Sequence, residues 1–155
     1  MLFRSLLPER IGSPLSVNAL REDVGVAFET VRDWLLLLEQ FFYLFRVPPF
    51  TGRLARTLRK ETKAYLIDWA EIEDEGRRFE NLVAAHLLKA IHLWQATGTK
   101  DLGLHFLRDK EKREVDFVIT ERGQPVCLIE CKTTDRKSTR LNSSHIQKSR
   151  MPSSA

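Results

Sequence analysis

Two carboxylates, Asp116 and Glu130, lie in neighbouring apolar runs at residues 115–120 and 126–132, and Lys132 follows the second acid by two positions. The link between the runs, Glu121-Arg122-Gly123-Gln124-Pro125, has the composition of a turn, so the runs read as the arms of a β-hairpin. If the hairpin is symmetric about Gly123, cross-strand partners have numbers that sum to 246. Val118 then faces Leu128, Asp116 faces Glu130, and Glu114 faces Lys132. Carboxylates opposed on a sheet, with Cβ atoms roughly 5 Å apart, repel each other. A divalent cation between them reverses the sign of that term, because hard cations such as Mg²⁺ favour carboxylate oxygen. Strand alternation puts Lys132 on the face of Glu130. This set suits metal-assisted attack on a phosphodiester, with Asp116 and Glu130 as the metal ligands. The alternative use of Lys132 is a cross-strand salt bridge to Glu114, which would keep it from catalysis.

The formal net charge of +4 lies entirely in residues 135–155, which hold five basic residues and one acid; residues 1–134 balance at 20 of each. The body therefore has no overall basic signature for nucleic acid. Any DNA contact must come from a local patch, and Arg53, Arg56, Arg59, Lys60 and Lys63 form the visible cluster. Its bland alternative is a solvated loop or helix face. Cys127 and Cys131 are four apart on one strand, too far for a disulfide. Neither a metal-type cysteine spacing nor a signal peptide is present, so a cytoplasmic setting is expected. Residues 34–45 are strongly apolar but too short for a membrane span, and they fit a buried helix.

Residues 1–12 read as an irregular lead-in. Residues 16–23 have a short helical pattern, 24–26 form a glycine turn, and 29–42 form a second helix capped at Thr30 or a neighbour. Val31, Trp34, Leu35, Leu38 and Phe42 should point inward. The pair matches a helix-turn-helix or, equally, two helices that merely pack. Its second helix offers Glu29, Thr30, Arg32 and Asp33 to a groove, a set with net negative charge. Residues 41–50 lead into an extended wing, and 63–69 read as a strand. The spacing of Phe79, Leu82, Val83, His86, Leu87, Ala90, Ile91 and Trp94 predicts a helix over 77–94, with His86 in the core and Glu80 bordering the buried stripe. Residues 102–108 form a further strand. Residues 135–155 are Ser-rich, basic and aperiodic. They resemble translated adapter or vector read-through and should be disordered, the rival being a genuine basic tail.

The ordered set of Leu7-Pro8-Glu9-Arg10-Ile11-Gly12-Ser13-Pro14-Leu15-Ser16, Thr30-Val31 with Trp34, Phe79-Glu80-Asn81-Leu82-Val83, Glu114-Val115-Asp116-Phe117-Val118 and Ile129-Glu130-Cys131-Lys132 resembles the C-terminal region of a large bacterial and archaeal family of AAA+-type ATPases. In that family a P-loop ATPase precedes a winged-helix segment and a domain of unknown function that looks like the restriction-endonuclease fold. The resemblance implies an α+β chain: a winged-helix-like unit over 13–62, then a truncated nuclease-like core over 63–134. It also implies site roles: Glu80 is the helix acid, Asp116 and Glu130 the metal-binding acids, and Lys132 the residue that positions or activates water. Mg²⁺ would lower the pKa of that water and stabilise charge on phosphate oxygens. No G-x-x-x-x-G-K-[ST] occurs, so no P-loop ATP site is expected here. The chain reads as a fragment truncated at both ends.

Two functions follow. In one, the chain is the DNA-associated, nuclease-like half of such an ATPase, with Mg²⁺-dependent cleavage belonging to the full-length parent more than to this fragment. In the other, it is a non-catalytic regulatory module that docks on the ATPase domain. A DNA-reading helix should be basic; this one is not, which favours docking over base readout.

Overall fold

The computed structural model describes residues 3–51, 61–98, 101–108, 111 and 113–133. Within them the chain is α+β, with three α-helices, three short 3₁₀ turns and two small antiparallel sheets. The basic residues Arg53, Arg56, Arg59 and Lys60 and the tail lie outside the described residues.

The expected helical pair is present. Helix α1 (Val17–Val24) starts where the Ser16 side chain accepts the Ala19 amide, and it stops at Gly25, whose φ of 72° favours glycine. Helix α2 (Phe28–Gln40) starts at Ala27 with no side-chain cap, not at Thr30. Val31 and Leu35 are buried beneath it as expected. Phe42 is not: the helix ends at Gln40, Phe42 takes a left-handed φ of 55°, and its ring is 79% exposed. Residues 34–45 are therefore an amphipathic helix end and a turn rather than a buried helix.

Strand β1 (Leu44–Val47) pairs antiparallel with β2 (Lys63–Leu66), from Leu44 opposite Leu66 to Val47 opposite Lys63. This ribbon is not a separate wing. All four residues of β2 are buried. On one side, Gly12 and Leu15 donate backbone N–H groups to the carbonyls of Ala64 and Thr62. Past β1, Phe50 donates to Phe106 and Phe106 to Pro48, which joins the ribbon to the second sheet. One hydrophobic cluster consequently runs from Leu7 through Leu35 and Tyr65 to Phe117. The expected boundary between residues 62 and 63 falls at the first residue of β2, whose partner strand is β1.

Helix α3 (Glu75–Ala96) is capped by the Asp74 side chain accepting the Arg77 amide. Its buried face is shifted from the predicted stripe: Ile91 is buried and Val83 and Leu87 pack on the core as expected, but Asn81 and Ala84 are buried too, whereas His86 is exposed and Phe79 and Trp94 are 39% and 44% exposed. The reason is Asn81, a polar residue in the core. It accepts the Leu66 N–H at 2.8 Å and donates to the Leu66 carbonyl at 2.7 Å. A polar side chain satisfied at both ends can occupy a position that a pattern of apolar residues assigns to solvent.

Strands β3 (Leu102–Arg108), β4 (Glu114–Glu121) and β5 (Gln124–Ile129) form the second sheet in that order. The β4–β5 register pairs Phe117 with Ile129, Val118 with Leu128 and Ile119 with Cys127, all summing to the predicted 246. The turn is tighter than a five-residue link. A register shift after Ile119 brings Thr120 opposite Pro125 and leaves Arg122-Gly123 as the turn, at φ values of 50° and 73°. Positive φ at both central residues matches the twist of the strands, which is why Gly123 is favoured there.

Candidate functional site

The ladder ends at Phe117–Ile129, one residue short of Asp116 and Glu130, so their predicted pairing is an extension of its register. Asp116 Oδ2 accepts the backbone N–H of Cys131 at 2.7 Å, which ties it to the segment that carries Glu130 and Lys132. Lys132 does not bridge to Glu114. Its Nζ lies 2.8 Å from Glu130 Oε2, and the pair is open to solvent, with side chains 80% and 51% exposed. That hydrogen bond, and then the Glu130 charge, makes the Lys132 ammonium harder to deprotonate.

Glu114 has another partner. It forms an ion pair with Lys63 on β2, and Arg108 Nε lies 3.8 Å from its other oxygen. Lys63 is 1% exposed, so it is not part of a DNA-facing basic surface. Its Nζ also reaches Glu80 Oε1 on α3 at 3.1 Å and stands 5.5 Å from the centre of the Phe106 ring. Glu80 does point at the sheet, as expected, where it accepts the Tyr65 hydroxyl at 2.7 Å. Gly12, at φ 78°, passes so close that a Cβ there would stand 3.1 Å from Glu80 Oε2.

The acids share one electrostatic environment. Burial, and then the charge and hydrogen bond of Glu80, push the Tyr65 phenol far above its usual range, with smaller effects from Asp116 and Glu114. Burial followed by Asp116 and Glu80 pushes the Cys131 thiol up to about 11. Sequence reasoning named Glu80, Asp116 and Glu130, put Lys63 in a DNA-facing basic cluster instead of beside these acids, and missed Tyr65. Their signal was alternation: residues two apart on one strand face the same way.

Do these residues fit the Mg²⁺ that the resemblance implies? Glu80 is held by Lys63 and Tyr65, Glu114 by Lys63, one oxygen of Asp116 by an amide, and Glu130 by Lys132. Among the described residues, no three or more His, Cys, Asp or Glu side chains are grouped to hold a metal ion. Each of Asp116, Glu130 and Glu80 has one oxygen engaged by an internal donor, a pairing that competes with a divalent cation for these acids.

Residues 75–153 match the family model described as a domain of unknown function, DUF4143, a domain often found C-terminal to AAA ATPase-like proteins. The chain belongs to that family. Residues 1–70 match a second domain of unknown function, DUF8612. No curated protein and no solved structure matches the chain.

Proposed function

We propose that this chain is a non-catalytic docking module for the P-loop ATPase domain that the family resemblance implies, working in the cytoplasm. The observation that carries this reading is the apolar end of α2. Leu37 and Phe41, one turn apart, are 48% and 78% exposed, and Phe42 beside them is 79% exposed. Phe42 continues into a groove of about 350 Å³ with Ile67 and Trp69 on one wall and Ala85 and Leu88 of α3 on another. Large apolar side chains grouped at a surface mark sites of protein contact. The exposed residues of α2 support the same reading, since Arg32 is ion-paired with its neighbour Asp33 and leaves little positive charge for phosphates.

A second reading, a Mg²⁺-dependent nuclease of restriction-endonuclease type acting on DNA, is favoured by the register of Asp116 and Glu130 and by Lys132 beside them. The internal pairing of the acids favours docking. Incubating supercoiled plasmid with the parent protein and Mg²⁺ separates the two. Docking expects no nicking above a protein-free control. Nicking by the wild type that Lys132→Ala abolishes would replace docking with the nuclease reading.

A further inference from the structure

Lys63 is a buried cation brought from β2 to two carboxylates on different elements, Glu80 on α3 and Glu114 on β4. An ammonium enclosed in protein is tolerable only when paired, and two acids held close together need positive charge between them. Lys63 meets both needs at once. The Phe106 ring centre stands 5.5 Å from its Nζ, and the Tyr65 hydroxyl donates to the same Glu80 Oε1. Arg108 is the other cation near Glu114, at the longer distance of 3.8 Å.

Two carboxylates from a helix and a strand, converging on one positive charge, have the donor chemistry of a hard divalent cation site. The geometry points to Lys63 as a covalently attached replacement for such a cation: while its ammonium is present the Glu80–Glu114 pair is closed to divalent metal, and removing that charge opens it. This assignment does not depend on the docking reading. Its acid pair, Glu80 with Glu114, differs from Asp116 with Glu130, although Glu80 is also the helix acid that the resemblance implies for that second pair.

Thermal melting of the full chain with and without millimolar MnCl₂ tests it. Three proteins are compared: wild type, Lys63→Met, and Lys63→Met/Glu114→Gln. Lys63→Met is expected to melt below wild type and to recover by about 5 °C when Mn²⁺ saturates the freed acids. The double variant, with one negative charge removed, is expected to melt above Lys63→Met without metal and to respond to Mn²⁺ no more than wild type. If Lys63→Met does not fold alone, refolding yield with and without Mn²⁺ replaces the melting temperature, and recovery in Mn²⁺ is expected. A Lys63→Met protein no more responsive to Mn²⁺ than wild type, folded or not, overturns the assignment. So does an equal response in the double variant.

Discussion

Asn81 on α3 holds Leu66 on β2 by both its amide atoms, one accepting the backbone N–H and the other donating to the carbonyl. The helix and the buried strand are thereby locked in one register, which is what aims Glu80, the preceding residue, at Lys63 and Tyr65. Asn81→Ala leaves a buried N–H and a buried C=O unsatisfied. We expect a loss of about 1–3 kcal/mol in urea denaturation. Lys132→Ala, on an exposed pair, should leave the urea midpoint essentially unchanged.

Gly12 covers the same carboxylate from the other side. Its φ of 78° is costly for a residue with a side chain, and the nearest atoms to an added Cβ belong to Glu80. Gly12→Ala should destabilise by about 1–2 kcal/mol from backbone strain alone. Relative to Glu80→Gln alone, adding Gly12→Ala should cost about the same, because the strain lies in the backbone at residue 12 and not in the side chain it meets. Denaturation curves of the single and double variants measure both effects.

The titrating groups set limits at both ends of the pH range. The Cys131 thiol is raised from 9.0 to about 11 by burial, Asp116 and Glu80, so its protonated form belongs to the folded state. Its contribution is complete below pH 9 and is lost as pH climbs through 11. Tyr65 acts in the same direction at still higher pH. His105 is shifted the other way: burial lowers its pKa, and its Nδ1 is enclosed without a hydrogen-bond partner among the described residues. Its contribution is present above 6.5 and fades as pH falls below that value. Urea midpoints should therefore be highest between these limits, and His105→Phe should flatten the acid side. Iodoacetamide at pH 8 should label exposed Cys127 well before Cys131, with Asp116→Asn accelerating the slower reaction.

Much of the fold can be read from local chemistry. The 246 register of the hairpin, the span of α3, the turn at Gly25 and the inward reach of Glu80 follow from strand alternation, helical period and glycine. Long-range pairing was not legible in the same way. Nothing near Lys63 in sequence shows that two acids, 17 and 51 residues further on, will enclose it, so it read as one more member of a basic surface cluster. Asn81 could not be recognised as core from the apolar pattern, because a polar residue signals solvent unless its partners are known. Phe42 read as core since the helical period continues through it; the chain instead turns out at Phe41–Phe42 to begin β1, and the ring is left outside.

The exposed end of α2 should tolerate polar substitution. Phe41→Ser and Phe42→Ser remove apolar surface that is already in water, so each should shift stability by within about 0.5 kcal/mol. Circular dichroism melts comparing the variants with wild type check this.

The most direct measurement is calorimetric titration of this chain into the separately expressed ATPase domain of the parent protein. Burying a phenylalanine contributes about 1.5–3 kcal/mol, and each 1.4 kcal/mol is a factor of about ten in affinity. Saturable binding by the wild type, weakened at least about tenfold by Phe41→Ser/Phe42→Ser, is the expected result. Equal affinity for wild type and double variant, or no binding by a folded wild type, would contradict the docking account.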